Sequence, residues 1–196
     1  ALTINKINNL MIKHKLLKFE NVVHGFFSAN GGGLKPPFKS LNCSFSNCDI
    51  YNNVKKNNEI ARESLKLKKL IQIKQVHSKK AIILKTLDNS GKNIVADGIV
   101  TKIKNVGLCI LTADCAPILF LDKKNFIVGA CHAGWRGALD GIINSTILKM
   151  EMAGSSKKNI CAVIGPAIQK SSYEIGNDVF NLIEKTDVFK QNDKII

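Results

Sequence analysis

Arginine is almost absent from this basic chain. Of its 29 Lys and Arg residues only Arg62 and Arg136 are arginine, set against 15 acidic residues and a formal net charge of +14. Such a charge favours polyanions through long-range attraction and counterion release. Readers of bases and phosphates, however, rely on the planar, bidentate guanidinium, and the lysines here are dispersed in tracts no longer than two. Aromatic residues are also scarce, at 6% with a single Trp, so unstacked bases would find few platforms. Nucleic acid is not an expected partner. Long apolar runs are lacking as well: the longest, residues 106–121, is broken by Thr112 and Asp114 and falls short of the roughly 20 residues of a membrane span. Near the N-terminus, Lys6, Asn8, Asn9, Lys13 and Lys15 interrupt any apolar signal core. No membrane association is expected, and the expected compartment is the cytoplasm.

The six cysteines, Cys43, Cys48, Cys109, Cys115, Cys131 and Cys161, form no Cys-x-x-Cys pair. A chain of 196 residues buries enough surface to fold without disulfides, so reduced thiols are expected. No repeat or Pro/Ser-rich linker divides the sequence, which predicts one domain over residues 1–196 with no obligate protein partner. Apolar residues make up 45%, enough for a packed core.

Pattern predicts a strand in 22–27 leading into an irregular Gly31-Gly32-Gly33 and Pro36-Pro37 loop. Residues 53–69 carry apolar positions at helical spacing on a lysine-rich background. Apolar, β-branched runs follow at 70–76, 81–84, 106–111, 117–121 and 126–131, several of them apolar throughout, which implies burial on both faces. Asp122-Lys123-Lys124-Asn125 reads as a hairpin turn. One helix is predicted over 136–152 with Gly154 as its stop, then a strand at 160–164 and a helix at 178–185. Clustered strands with helices between them predict an α+β domain with mixed sheets.

Chemistry concentrates in four stretches: Lys74-Gln75-Val76-His77-Ser78, Thr112-Ala113-Asp114-Cys115-Ala116-Pro117, Cys131-His132-Ala133-Gly134-Trp135-Arg136-Gly137, and Ile164-Gly165-Pro166-Ala167-Ile168. Polar residues that interrupt apolar strands cost stability unless satisfied, so such breaks tend to face clefts. Two imidazoles and a thiol at strand ends, His77, Cys115 and His132, are the donor set of a zinc site with one open position. Separations of 38 and 17 residues fix no geometry, and two hydrogen-bonded histidines beside a buried thiol remain the plain alternative. Cys131, next to His132, points to the opposite face of an extended strand and reads as core.

The same residues resemble one family. Gln75-Val76-His77, Ala96-Asp97-Gly98 with Thr101, Thr112-Ala113-Asp114-Cys115, His132-Ala133-Gly134-Trp135-Arg136-Gly137, and Ile164-Gly165-Pro166 with Tyr173-Glu174-Ile175-Gly176 occur in its order. The chain is identified as a member of the bacterial purine nucleoside phosphorylases formerly called multicopper polyphenol oxidases or laccase-domain proteins, which include the peptidoglycan editing factor. That resemblance implies zinc, with copper as the alternative ion, held by His77, Cys115 and His132. It implies a fold similar to that of the cytotoxic-necrotizing-factor-like cysteine hydrolases. It further implies phosphorolysis of adenosine, inosine and methylthioadenosine, together with adenosine deamination, so the expected partners are a purine nucleoside and phosphate. Three departures from the family pattern stand out: Ala29 where an arginine is usual, Ser46 where a histidine is usual, and no Phe-Ser-Tyr-Arg-Arg or Thr-Gly-Arg motif up to Ile196.

Within that expectation Arg136 is the candidate phosphate contact, or else a structural ion pair, and Asp114 is a proton acceptor or a group orienting a ligand. Asn42 and Gln75 are candidate contacts to ribose or base, with loop capping as their plain role. Trp135 either stacks on a purine or fills the core. The rival functions are copper-dependent phenol oxidation, hydrolysis of peptidoglycan precursors with Cys115 as nucleophile, and metal binding without turnover.

Overall fold

The computed structural model describes residues 11–32, 41–45, 49–87 and 94–186. A five-stranded mixed sheet carries the architecture, in the order β4 (Ala81–Leu84), β5 (Gly98–Thr101), β8 (Ile127–Ala133), β7 (Ala116–Asp122), β9 (Ile160–Ile164). β4 and β5 run parallel and the other three pairings are antiparallel. A parallel pair, β3 (Lys69–Gln72) with β6 (Val106–Cys109), and a short antiparallel pair, β1 (Met11–Ile12) with β2 (Phe26–Phe27), make two smaller sheets. The helices are α1 (Tyr51–Ser64), α2 (Trp135–Asp140), α3 (Ile142–Met152) and α4 (Asn177–Glu184). The architecture is α+β. No helix among the described residues is long and apolar enough to cross a membrane.

The apolar character of β5, β7 and β8 follows from burial on both faces. Val100, Ile118, Phe120, Ile127 and Cys131 pack under α3, where Ile142 and Met150 complete the cluster. The alternate residues Ile99 and Ala130 face the other way, onto Ile71 and Val106 of the β3–β6 pair. Leu121 and Val163 meet Leu17 and Phe26, which cover the β7–β9 side of that second face. The main sheet is thus sandwiched between a helix and smaller sheets.

Several predicted elements change on folding. The strand predicted at 70–76 forms a ladder over Lys69–Gln72 and a single bridge at Lys74, and that at 106–111 pairs over Val106–Cys109. The run 22–27 supplies only the Phe26–Phe27 pairing, and residues 33–40 of the glycine-proline loop lie outside the described residues, as do Ser46 and Cys48. The helix predicted over 53–69 starts at Tyr51 and ends at Ser64, where Lys66 adopts φ +53. The single helix predicted over 136–152 is two, because Gly141 at φ +96 ends α2 and starts α3. A left-handed residue reverses the chain's helical path and is tolerated best by glycine. β5 was not anticipated at all, although all four of its residues are buried.

Candidate metal centre

One end of the main sheet collects the chemistry. In the β7–β8 register Ala116 lies opposite Ala133, so Cys115, just before β7, and Gly134, just after β8, emerge side by side. β5 enters at the same end: Gly98 pairs with Cys131, and the His132 N–H donates to the Asp97 carbonyl at 2.7 Å. The chain beyond β3 reaches this end too, through an isolated bridge between Lys74 and Val95. Gln75 completes that approach, its Nε2 donating to the Leu111 carbonyl at 2.7 Å while its Oε1 accepts the Leu111 N–H at 2.8 Å. The side chain therefore acts as a strand rung between segments 36 residues apart.

His77, Cys115 and His132 converge so that one donor atom from each lies within 4.8 Å of the others. A tetrahedral ion at about 2.1–2.3 Å from each donor spaces them by roughly 3.5 Å, so that envelope admits one ion after a small contraction. The two imidazoles meet edge to face with ring centroids 4.7 Å apart. His132 is buried, Cys115 half-buried and His77 exposed, which leaves the group open to solvent on one side. Gly134 floors the group: a Cβ there would lie 2.8 Å from His77 Cδ2, 3.1 Å from Cys115 Sγ and 3.6 Å from His132 Cε1. The two nitrogens and one sulfur suit zinc, and copper accepts the same donors.

Asp97 underlies the group. The carboxylate has no exposed surface and accepts from the N–H groups of Val76, His77 and Ser78, from Ser78 Oγ, and contacts His132 Nδ1 at 2.9 Å. Burial by itself would raise its carboxyl, but the His132, Ser78 and Val76 donors outweigh burial and hold it below the ordinary range. Burial, then the charges of Asp114 and Asp97, push the Cys115 thiol up. A bare thiol there is a poor nucleophile, whereas a divalent cation reverses that balance. Cys131 lies on the opposite face of β8, fully buried, with burial pushing its thiol up to about 12.

The remaining candidates are distributed differently. Asp114 is exposed next to Cys115, and its backbone carbonyl accepts the Ile168 N–H at 2.9 Å. Arg136 is exposed on α2 with its guanidinium 4.9 Å over the Trp135 ring, a cation–π contact. Asn42 lies in a loop hydrogen-bonded to α1 and β3. Its Nδ2 donates to Asp49 and its Oδ1 accepts the Ser44 N–H, while Asn57 and Gln72 hold the loop backbone. Sequence reasoning quoted Asp97 and Gly134 inside motifs without giving either a role. The sequence carries no signal for Asp97, because the burial of the strand it precedes comes from neighbours brought by folding.

A family model described as multi-copper polyphenol oxidoreductase laccase matches residues 23–194. The chain belongs to that laccase-like family. Curated relatives named purine nucleoside phosphorylase include one from Rickettsia prowazekii, 34% identical over 89% of this chain and 69% of the relative. Another, from Haemophilus influenzae, is 33% identical over 88% and 68%. Among solved structures, a Neisseria meningitidis protein of the DUF152 family superposes with a TM-score of 0.77 at 30% identity, covering 88% of this chain and 69% of that one. YlmD from Geobacillus stearothermophilus superposes with a TM-score of 0.73 at 28% identity, covering 82% and 63%. This laccase-family chain therefore spans about two thirds of the length of the relatives it matches.

Proposed function

We propose that this laccase-family chain is a zinc-dependent enzyme of purine nucleosides that acts by phosphorolysis, with adenosine deamination as a second activity. The observation that carries the reading is the convergence of His77, Cys115 and His132 over the glycine floor at Gly134. Purine nucleoside phosphorylase is the name borne by its curated relatives. When bound, the ion supplies a Lewis acid that makes water acidic near neutral pH. In phosphorolysis a phosphate oxygen forms a bond to the anomeric carbon, the carbon–N9 bond breaks, and the purine leaves with the electron pair and takes up a proton. Arg136, the exposed cation beside the cluster in sequence, holds the phosphate. Asp114, the exposed carboxylate next to Cys115, moves the proton. A polyphenol oxidase of the laccase type needs several copper centres, and one three-donor group is found among the described residues. The free thiols Cys43, Cys109, Cys115, Cys131 and Cys161 suit the reducing cytoplasm.

The test is incubation of zinc-loaded protein with adenosine, with and without phosphate. Adenine and ribose 1-phosphate are expected in a phosphate-dependent reaction, with inosine as the deamination product. Stoichiometric metal without any base release would identify a binding protein instead, and base release independent of phosphate would identify a hydrolase. Arg136→Ala is expected to raise the KM for phosphate while leaving the metal in place; an unchanged KM removes Arg136 from the site.

A further inference from the structure

Asp97 touches two of the three metal-donor segments and is given no chemical part by the reading above. Its Oδ1 accepts the His77 N–H at 2.9 Å and contacts His132 Nδ1 at 2.9 Å, while its Oδ2 accepts the Ser78 N–H at 2.7 Å and Ser78 Oγ at 2.8 Å. The Val76 N–H is shared between both oxygens at 3.2 Å. One buried carboxylate thus gathers amides 19 to 21 residues away and an imidazole 35 residues away.

Every other partner of the Asp97 carboxylate is a donor, so both oxygens act as acceptors and the His132 contact is Nδ1–H donating. The proton is fixed on Nδ1, and the Nε2 lone pair is left for an ion. This is how a carboxylate orients a ligand imidazole and raises its basicity. On the other strand-end, three successive N–H groups close around the carboxylate. They hold the turn in which His77 adopts φ +59, a conformation disfavoured for any residue with a Cβ. The strained backbone is thereby set to deliver the His77 ring, whose centroid stands 4.7 Å from that of His132.

We propose that Asp97 is a positioning residue that sets both imidazoles of the centre at once, the His132 ring through Nδ1 and the His77 backbone through its amide N–H groups. The proposal rests on the reading of His77, Cys115 and His132 as a divalent-metal site. Asparagine cannot replace the acid, because its NH2 would face either the His132 Nδ1–H or the Ser78 N–H, donor against donor. Ser78 contributes through Oγ alone what a milder substitution can remove.

The experiment measures zinc affinity by chelator competition for the unsubstituted protein, Asp97→Asn and Ser78→Ala. It adds the thermal midpoint of each metal-free form and the visible absorption of each Co2+-loaded form. Asp97→Asn is expected to bind zinc about 10–100-fold more weakly. Its Co2+ ligand-field bands should change while the thiolate-to-metal band of the untouched Cys115 persists. Ser78→Ala removes two hydrogen bonds, the one to Asp97 Oδ2 and the one from the Lys80 N–H, and no charge, so it keeps the fold even where Asp97→Asn loses it, and is expected to weaken zinc several-fold. Unaltered zinc affinity and Co2+ spectra in the folded variants, whatever their thermal midpoints, would make Asp97 a structural residue only and overturn the proposal. Failure of the unsubstituted protein to take up zinc would overturn the metal reading itself, and the role of Asp97 toward an ion with it.

Discussion

Gly134→Ala isolates the steric requirement of the metal centre from the stability of the fold. The residue sits at φ −70 and ψ 160, an extended conformation that alanine adopts without strain. On backbone grounds alone the substitution stabilises by about 0.4–1 kcal/mol, through the unfolded chain. Against that, the new methyl would stand 2.8 Å from His77 Cδ2, where ordinary contact begins at 3.4 Å, so the ring must retreat by about 0.6 Å. Cys115 Sγ, at 3.1 Å, must give as well. His77 is exposed and its ring can swing away cheaply, which keeps the folding cost small. Metal–donor distances, however, tolerate only about 0.2 Å of error. Displacement of two donors out of three is therefore expected to weaken zinc by at least tenfold, or about 1.4 kcal/mol. The thermal midpoint of the metal-free protein should change little. Chelator competition on the folded variant reads the first quantity and a thermal melt the second. Zinc bound as tightly as in the unsubstituted protein would refute the geometry, since three donors cannot close on one ion through an added methyl.

Other substitutions probe the surroundings. Cys115→Ser and His132→Ala should each abolish zinc retention and turnover together, and full activity in either would remove that residue from the donor set. Gln75→Ala deletes both rungs to Leu111 and should cost about 1–3 kcal/mol in chemical denaturation; a change within error would show that water replaces them. Asp122 is fully buried and caps the β7–β8 turn by accepting from the Lys124 and Asn125 N–H groups and from Asn125 Nδ2. Burial alone would raise its carboxyl, but the Asn125 and Lys124 donors outweigh it and hold it below the ordinary range. A carboxyl lowered on folding stabilises above its unfolded value, near 3.9, and that contribution is lost as pH falls through the folded value. Asp122→Ala should thus destabilise by about 1–3 kcal/mol at neutral pH. The gap from the unsubstituted protein should close in acid, and a gap that widens there would contradict the assignment.

The β7–β8 hairpin was legible because two long, β-branched runs flank Asp122-Lys123-Lys124-Asn125, and turn chemistry and periodicity agree there. β5 was illegible for the opposite reason: Gly98-Ile99-Val100-Thr101 is short and opens on glycine, and only the neighbouring β4 and β8 make it the buried centre of the sheet. The break at Gly141 was hidden because apolar spacing continues on both sides of a single left-handed residue. The donor trio was legible through resemblance rather than spacing. Loop and strand separations of that length carry no local geometry, so pattern alone favours two packed histidines and a buried thiol over the site. Asp97 escaped assignment because its partners are amides brought by folding from Val76, His77 and Ser78, and no sequence period marks a backbone N–H. Gln75 and Asn42 show the converse: amide side chains that read equally well as substrate contacts or loop caps are found hydrogen-bonded to their own chain.

The β7–β8 hairpin brings Cys115 and His132 together locally, whereas His77 joins them through the long-range Asp97 and β5–β8 contacts, so the hairpin alone holds two donors of the three. Ion capture during refolding should therefore lag secondary-structure formation and coincide with closure of the β5–β8–β7 register, making coordination a reporter of long-range order. A one-residue slip of β7 against β8 would turn Cys115 to the far side of the sheet. The protein would then retain its helices and lose its capacity for metal, a quality mark read directly from the colour of a cobalt solution.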